Sequence, residues 1–402
     1  MVAIIPQRGL RDFDWLLALL AIGIVAFGTV QIRNAQPTEN YWVKQLIGLG
    51  IGIVVMLLIA FNDYRKLINI APAFYVFGLL LLIVVLIPHV GLKINGQRAW
   101  IRVPGIGQFQ PSEFVKVTTA MMLARYFGKH RTGALTLKEV AGGGLILALP
   151  IFLILLEPDV GSVITYLPIL AVVLFLSAIR MRYVVAAVIL GVVLLPVTYW
   201  VGVKTHAIKN YQQERINVIL DPENADRRGF GYNTWQSILT VGEGGLLGAD
   251  TSDGGRGKGG GAAGGIGGTG GGGGSSSGGG TAAYSQSSLK FLPEPHTDFI
   301  FAVTAGNSGF VGCILVLLAY VVLLSRLIAG AKRAPDRMGM LVIMAIVGGL
   351  TCQVFINIGM ALGILPVIGI PLPLMSAGLA SLIATFIAIG FAISVQLRRF
   401  VN

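Results

Sequence analysis

The densest group of titratable side chains in the sequence lies in the strip Lys290–Phe301, which reads KFLPEPHTDFIF. Glu294, His296, Thr297 and Asp298 stand directly before a long apolar run. A carboxylate at a helix N-terminus is stabilised in its charged form, and a carboxylate in that form is suited to act as a general base. A structural role is the alternative, since Thr297 or Asp298 could cap the following helix.

A second group lies in the strip 95–116, which reads NGQRAWIRVPGIGQFQPSEFVK. Its Pro-Ser-Glu sequence predicts a helix start, and Glu113 and Lys116 are spaced to form an i,i+3 ion pair on that helix. Trp100, with Arg98 close by, is typical of an aromatic anchor at lipid headgroups. Because guanidinium groups also match phosphate oxygens, a pyrophosphate clamp is the other interpretation, and both stay open.

Two further groups lie in predicted loops. Asp159, in the turn EPDVGS at 157–162, is placed to cap the next apolar run, and a role in shaping the site is the second interpretation. Arg215 is the residue of the segment 211–248 that best suits a phosphate, although a solvated loop face explains its charged neighbours. The stretch Ile216–Leu220 predicts a short amphipathic helix at the membrane interface.

The elements that must position these groups are predicted to span a membrane. The chain has 402 residues, of which 54% are hydrophobic and 12% charged, whereas soluble domains carry about a quarter charged residues. Ten apolar segments, long enough to cross a hydrocarbon core of ~30 Å, lie at approximately 14–32, 44–61, 69–88, 111–127, 139–156, 160–178, 183–202, 298–327, 339–362 and 374–396. We expect an all-α integral membrane protein, a polytopic bundle of about ten transmembrane helices. A soluble Rossmann enzyme, a secreted disulfide scaffold and an acidic disordered chain are excluded.

The expected organisation has three parts: spans one to seven in 1–202, a large extracytoplasmic loop in 203–297, and spans eight to ten in 298–402. Within the loop, residues 254–280 hold 18 glycines in 27 positions, which predicts a disordered insertion. Lys and Arg recur in the loops of one side and in both tails, so the positive-inside rule predicts cytoplasmic termini. Because the net charge of +12 is dispersed in this way, no nucleic-acid partner is expected. The two cysteines lie inside apolar runs, so no disulfide or zinc framework is predicted.

These motifs resemble the SEDS family, which includes RodA, FtsW and SpoVE: ten-span peptidoglycan glycosyltransferases of bacterial growth and division. The resemblance covers almost the whole chain and rests on the strips at 95–116, 157–162, 211–215, 231–248, 291–301 and 357–376. It implies that Asp298 is the catalytic residue and that Glu113 and Lys116 lie in a central cavity. The short N-terminal tail and the PSEFVK strip lean towards the elongation branch, that of RodA. The residues expected to contact substrate are Glu113, Lys116, Arg98, Trp100, Arg215, Glu294, His296, Thr297 and Asp159.

The chain departs from the family pattern at four places. Ala99 stands where the family usually has an Arg before the Trp, and Arg98 is one residue earlier, which changes the direction of its guanidinium on a loop or helix. Gly306-Asn307-Ser308 replaces a common Glu pair, and Ser376-Ala377-Gly378-Leu379-Ala380 replaces the usual S-Y-G-G-S ending. The glycine tract is not a family feature and is interpreted as a tolerated insertion in an outer loop.

The resemblance implies lipid II as substrate, a disaccharide-pentapeptide on undecaprenyl pyrophosphate. Asp298 would accept the proton of the acceptor's 4-hydroxyl as that oxygen attacks the donor's anomeric carbon, with inversion and formation of a β-1,4 bond. Arg215, Arg98 and Lys116 are the candidate cations for the departing pyrophosphate. A divalent cation, Mg²⁺ or Mn²⁺, is a candidate helper, the metal ligands are unknown, and no organic cofactor is expected.

Two functions of other classes stay open: a lipid II flippase or transporter, and a non-catalytic scaffold of the cell-wall synthesis complex. The resemblance also implies a class B penicillin-binding transpeptidase as partner, together with other membrane proteins of the elongation complex. The expected location is the bacterial cytoplasmic membrane.

Overall fold

The computed structural model describes residues 12–94, 96–103, 107–129, 133–186, 189, 231–248 and 294–398. In these ranges the chain forms an all-α bundle with one small sheet. The helices are α1 (Trp15–Ala35), α2 (Tyr41–Phe61), α3 (Tyr64–Asn69), α4 (Ala71–Leu86), α5 (Pro111–Gly128), α6 (Leu137–Leu156), α7 (Val160–Leu176), α8 (Gly231–Glu243), α9 (Ile300–Lys332), α10 (Arg337–Ala361) and α11 (Leu379–Leu397).

The apolar segments of the sequence correspond to the helices of the bundle. Among the described residues, α1, α2, α6, α9, α10 and α11 are long and apolar enough to cross a membrane, and α4 and α7 are shorter apolar helices. The seventh predicted segment, 183–202, lies mostly outside the described residues. The predicted segment 374–396 begins too early, because α11 starts at Leu379 and residues 374–378 belong to the preceding loop.

Helix α5 lies in the middle of the bundle, in contact with α4, α6, α7, α10 and α11. It begins at Pro111, as predicted, with Glu113 in its first turn. Most of its residues are buried, including Glu113 and Lys116. A polar helix is tolerated at this position because its neighbours separate it from lipid.

A three-stranded antiparallel sheet connects α4 to α5, and the sequence analysis does not predict it. Its strands are β1 (Gly91–Ile94), β2 (Gln97–Val103) and β3 (Gly107–Phe109), in that order. Trp100 pairs with Leu92 and Arg102 pairs with Gln108. The Asn-Gly pair at 95–96 is a strong hairpin signal, and Gly96 has the positive φ of 85° that such a turn requires.

Two prolines interrupt the hydrogen-bond ladders of membrane-spanning helices, and side chains of neighbouring helices replace the missing donors. Pro150 in α6 leaves the carbonyl of Ile146 without its usual N–H partner, and the Tyr75 hydroxyl donates to that oxygen at 2.6 Å. Pro168 in α7 has the same effect on Ile164, whose carbonyl lies 4.0 Å from the Cys352 sulfur. Both contacts satisfy backbone groups that lipid could not.

The segment 362–378 between α10 and α11 is an irregular loop, exposed near its start and buried at 372–376. Tyr320 donates to the carbonyl of Pro373 at 2.5 Å, and Gln45 donates to those of Leu374 and Ser376 at 3.2 Å each. Non-helical backbone at membrane depth is tolerated where protein surrounds it. The loop is therefore held in one shape by helices from both halves of the chain.

Most of the predicted loop 203–297 lies outside the described residues, including Arg215, Ile216–Leu220 and the tract 254–280. Its described parts are residues 294–297 and α8 with the turn 244–248, which packs on α9. Helix α9 is broken at Gly309, where φ is 61° and ψ is −162°. The amides of Phe310 and Val311 then donate to the carbonyls of Gly245 and Leu246, at 2.9 and 3.1 Å. The break in α9 thus anchors one end of the loop.

Candidate active site

The turn 294–299, directly before α9, is held in place by hydrogen bonds that three of its consecutive backbone carbonyls accept. The amide of Ala377 donates to His296 O at 2.8 Å, and Ser376 Oγ donates to Thr297 O at 2.5 Å. Asn357 Nδ2 donates to Asp298 O at 2.9 Å. The backbone on which Asp298 stands is therefore fixed by α10 and by the loop 362–378.

The N-cap position of α9 is Phe299, one residue after Asp298, and the Phe299 side chain makes no capping hydrogen bond. Thr297 Oγ1 donates to the carbonyl of Glu294 at 3.3 Å.

The Asp298 side chain approaches the loop 362–378 at Gly369. A Cβ atom placed on Gly369 would lie 3.5 Å from Asp298 Oδ2. Gly369 is also part of the wall of a cavity of about 10 Å³, room for a single water molecule, which we call the polar chamber. Its walls are formed by Gln110, Glu113, Lys116, Gly161, Ser162, Thr165, Gln353, Gly369, Ile370 and Pro371. The proposed base and the central polar residues of α5 thus meet at one place.

Glu113 and Lys116 form the predicted i,i+3 ion pair, with Oε1 and Nζ 2.6 Å apart. They are only 5% and 7% exposed, so the two charges neutralise each other inside the bundle. A second, apolar chamber of about 40 Å³ lies between α5, α7, α10 and α11. Glu113, Lys116 and Gln353 line both chambers and therefore form the boundary between them.

Asp159 caps α7, as the first interpretation predicts. Its Oδ1 accepts from the Ser162 amide at 3.0 Å, and its Oδ2 accepts from Ser162 Oγ at 2.6 Å. Gln110 Nε2 also donates to Oδ2, at 2.9 Å. Asp159 therefore shapes the polar chamber through two of its wall residues, Gln110 and Ser162.

His296 stacks on an aromatic ring that the sequence analysis did not single out. Its imidazole lies over Tyr41 of α2, with ring centroids 4.0 Å apart and planes tilted by 22°. Burial lowers the pKa of His296 despite the nearby carboxylates of Glu294 and Glu39, which favours a neutral ring at pH 7. Glu294 Oε2 is 3.7 Å from His296 Nε2. The stack ties the turn 294–299 to the second helix.

Arg98 and Trp100 lie on β2 with Ala99 between them. Arg98 donates through Nη1 to the carbonyl of Leu86, the last residue of α4, at 3.3 Å, a position where a cation is favourable to the helix dipole. Ala99 is fully buried whereas Trp100 is half-buried, and the pairing register shifts at Ala99, since Trp100 pairs with Leu92 and Arg98 pairs with Lys93.

At 306–308, where the sequence departs from the family pattern, neutral hydrogen bonds join α1 and α9. Gln31 accepts from Asn307 Nδ2 and donates to Ser308 Oγ, each at 3.0 Å. Amides and a hydroxyl therefore join the two helices where the family commonly has a Glu pair.

The turn before α7 contains a buried acid that the sequence analysis quoted but did not assign. Glu157 has no exposed surface, and within the described residues neither of its carboxylate oxygens has a hydrogen-bond partner. Burial, followed by the charge of Asp159, raises the pKa of Glu157 to about 9. Glu157 is therefore a neutral carboxylic acid at pH 7.

A divalent cation is a candidate helper of the reaction, and it needs ligands from the chain or the substrate. Across the described ranges, no three His, Cys, Asp or Glu side chains lie close enough to hold a metal ion together. Magnesium sites commonly use one or two carboxylates plus substrate phosphates. Glu294 and Asp298 are the two carboxylate residues of the turn 294–299.

Two residues important to this geometry were not identified from the sequence as site residues. Asn357 holds both Asp298 and the carbonyl of Ile370, to which it donates at 2.7 Å. Gln353, one helical turn earlier on α10, lies between the two chambers. Polar side chains in an apolar span indicate a functional role in themselves, so Asn357 and Gln353 could both have been identified on that basis.

The fold and this site define a multi-pass membrane protein with a carboxylate beside an intramembrane polar chamber. The family model of the cell cycle proteins FtsW, RodA and SpoVE matches residues 11–258 and 268–399. The chain therefore belongs to this family, the SEDS family. The gap in the match falls inside the glycine-rich tract.

Relatives match over nearly their whole length. Peptidoglycan glycosyltransferase MrdB of Escherichia coli (strain K12) is 32% identical, over 96% of this chain and 94% of the relative. Stage V sporulation protein E of Bacillus subtilis is 31% identical, over 95% and 96%. Peptidoglycan glycosyltransferase RodA of Treponema pallidum is 27% identical, over 98% and 99%.

Two solved structures share the fold. A chain from a peptidoglycan synthase complex, solved for the coordination of polymerization and crosslinking, has a TM-score of 0.76 at 31% identity, covering 97% of this chain and 99% of that chain. The rod shape determining protein RodA of Thermus thermophilus has a TM-score of 0.66 at 28% identity, covering 98% and 99%.

Proposed function

We propose that this protein is a peptidoglycan glycosyltransferase that polymerises lipid II on the outer face of the bacterial cytoplasmic membrane during cell elongation. Family membership and the names of the relatives support the reaction class. The single observation that carries the assignment of the site is the position of Asp298, which borders the polar chamber at Gly369 while its backbone is fixed by Asn357.

In the proposed reaction, Asp298 is the general base. Its carboxylate accepts the proton of the acceptor's sugar 4-hydroxyl, and the oxygen attacks the anomeric carbon of the donor. The bond from that carbon to the pyrophosphate breaks, and undecaprenyl pyrophosphate leaves from the opposite face, so the configuration inverts. One carboxyl group is sufficient because pyrophosphate leaves without being protonated by the enzyme, unlike the leaving groups of glycoside hydrolases.

The negative charge of the departing pyrophosphate needs cations. Arg98 and Arg215 are the proposed residues, and Lys116 is the third, although its charge is already matched by Glu113 at 2.6 Å. A divalent cation bound with the substrate would supply further charge neutralisation, and Glu294 is the residue proposed to hold it. Trp100, His296 and Thr297 are proposed to position the substrate around the turn 294–299.

The experiment is polymerisation of lipid II by purified protein. Removal of a well-placed general base costs about 10²–10⁴-fold in rate, so Asp298→Asn and Asp298→Ala should both lose polymerisation by about this factor. Thermal unfolding in detergent should show that both variants still fold. Asp12→Asn, at an exposed position before α1, is the matched control and should retain the wild-type rate.

Other outcomes point to the other function classes. Wild-type rate in Asp298→Asn would refute the assignment of the base. Transbilayer movement of labelled lipid II without polymer would identify a flippase, and a chain that is inactive alone but activates another polymerase would identify a scaffold.

The proposed partner is a class B penicillin-binding transpeptidase, since the polymer must be cross-linked. The similarity to a chain of a peptidoglycan synthase complex supports this proposal. Other membrane proteins of the elongation complex are proposed to join the assembly.

A further inference from the structure

We propose that α8 and the turn 244–248 form a re-entrant segment, which lies in the membrane leaflet on the side of Asp298 and binds phospholipid acyl chains. The surface that binds them, which we call the lipid face, consists of Trp235, Ile238, Leu239, Leu246 and Leu247. The sequence analysis placed these residues in an extracytoplasmic loop. The inference rests on the membrane-spanning fold and goes beyond the proposed reaction.

The first observation is the polarity of α8, which turns polar side chains towards the protein and apolar side chains outwards. Its buried side chains, three residues apart, are Thr234, Ser237 and Thr240. The part of the lipid face that lies on α8 is exposed. A helix at a water-exposed surface has the opposite polarity, whereas small hydroxyl residues at helix contacts are typical of helices that pack inside membranes.

The second observation is the exposure of the turn that follows α8. Leu246 and Leu247 are 73% and 78% exposed. Together with the exposed side chains of α8 they form an apolar patch, and such a patch marks a surface that contacts lipid or another protein. The position of the turn along α9 decides between these two.

The third observation is the depth that the segment reaches. Asn357 of α10 donates to Asp298 O, so these two residues lie at one level. Ser237 Oγ donates at 2.7 Å to the carbonyl of Ala361, which is one helical turn, about 6 Å, further outwards. The turn 244–248 is hydrogen-bonded to Phe310, about 15 Å inwards from the start of α9. The segment therefore descends along α9 towards the membrane interior.

The fourth observation is continuity with the surface of α9. Residues 300–306 of α9 are all buried, and its exposed apolar stripe begins only at Phe310, beside the turn, and continues through Leu315 and Leu318. Helix α9 is long and apolar enough to cross a membrane, so this stripe faces acyl chains. The lipid face begins where the stripe ends, and the same chains therefore cover both surfaces.

The backbone of the turn meets the requirement that lipid imposes, since polar groups need partners inside the protein. The carbonyls of Gly245 and Leu246 accept from the amides that follow the break in α9, and Gly248 N donates to Gly244 O at 2.9 Å. The turn also lies very close to α9, because a Cβ atom on Gly244 would collide with the carbonyl of Ala305. With 13 residues, α8 has the length of a re-entrant segment and not of a full span.

The test measures which quenchers reach the lipid face. Leu247→Cys in a Cys313→Ala, Cys352→Ala background is labelled with bimane, and the full-length protein is reconstituted into vesicles of phosphatidylcholine with brominated acyl chains. We expect its fluorescence to fall as far as that of Leu315→Cys, which lies on the lipid-facing stripe of α9. Aqueous iodide should leave both labels unquenched. Neither measurement involves lipid II, so the result is independent of the proposed reaction.

Gln108→Cys, exposed on β3, is the matched control and should show the reverse pattern, with quenching by iodide and none by brominated chains. Leu246→Cys repeats the measurement if Leu247→Cys does not fold or label. The inference is overturned if iodide quenches the turn as strongly as it quenches Gln108→Cys, which would place the turn in water. It is also overturned if neither quencher reaches the turn, which would show that protein covers it.

Discussion

Gly369 is the residue that sets the distance between Asp298 and the polar chamber. Its φ of 77° lies in the left-handed region, which costs other residues about 1–2 kcal/mol. An added methyl would lie at ordinary contact distance from Asp298 Oδ2, 3.5 Å away, so strain and not lack of space decides the effect. Any relaxation of the loop would move the wall against which Asp298 rests.

We therefore predict that Gly369→Ala lowers the free energy of unfolding by about 1–2 kcal/mol and reduces lipid II polymerisation beyond what this loss explains. The measurements are thermal unfolding and initial polymerisation rate. Gly144→Ala is the control, because Gly144 lies within α6 and has no atom within 4 Å of its Cβ position. Equal activity of the two variants would show that Gly369 does not position Asp298.

At the residue scale, the sequence predicts contacts between near neighbours better than contacts across the fold. The Glu113–Lys116 pair and the Asp159 cap are both observed, because helix geometry fixes residues three positions apart. The stack of Tyr41 on His296 joins residues far apart in the chain. No local pattern specifies such a partner. Nor does any local pattern indicate that Gln353 Nε2 has no hydrogen-bond partner within the described residues.

The proline-containing helices depend on donors from their neighbours. The Tyr75 hydroxyl replaces the N–H that Pro150 cannot supply to Ile146 O. Tyr75→Phe should therefore lower the free energy of unfolding by about 1–3 kcal/mol, the usual penalty for a buried group left without a partner. Thermal unfolding of the purified protein in detergent measures this loss.

A double-mutant cycle checks the cause of that loss. In Pro150→Ala, the restored backbone N–H can donate to Ile146 O, so Tyr75→Phe should cost less in that background than in the wild type. Equal costs in the two backgrounds would mean that the hydroxyl stabilises α6 in some other way.

At the element scale, hydropathy predicts the helices and misses the irregular parts. The sheet was missed because its short strands carry no strong alternation, although the Asn-Gly turn signal was present. The start of α11 was predicted too early because Leu372, Leu374 and Met375 are apolar and buried. Hydropathy cannot distinguish a buried loop from the first turn of a helix.

For the whole molecule, Glu157 makes stability depend on pH. Its pKa is about 9 in the folded protein, above that of an unfolded glutamate at about 4.3. Between these values the folded state holds one proton more than the unfolded state. The free energy of unfolding should therefore be highest below both pKa values. It should fall as the pH rises from the lower to the higher one, by at most about 1.4 kcal/mol per pH unit.

We predict that Glu157→Gln flattens this dependence, so that the variant matches the wild type at pH 5 and exceeds it at pH 8. Thermal unfolding midpoints across this range provide the measurement. Glu39→Gln, at an exposed position between α1 and α2, should keep the wild-type slope. A wild-type slope in Glu157→Gln would show that Glu157 is ionised in the folded protein.

The two ends of the bundle differ in charge, and this difference predicts its orientation. Three ion pairs gather at one end: Arg65–Asp336 and Arg326–Asp14, each at 2.8 Å, and Arg398–Asp63 at 3.8 Å. The small sheet, the turn 294–299 and the loop 362–378 lie at the opposite ends of the same helices. The positive-inside rule places the basic end in the cytoplasm, so Asp298 should face the outside, where a glycan strand is needed.

Single cysteines in a Cys313→Ala, Cys352→Ala background test this orientation in spheroplasts with a membrane-impermeant thiol reagent. Gln108→Cys, at an exposed position of β3, should react in intact spheroplasts. Lys332→Cys, exposed at the end of α9, should react only after permeabilisation. The reverse pattern would place Asp298 on the cytoplasmic side, where a polymer would have to be exported after synthesis, and would exclude polymerisation at the outer surface.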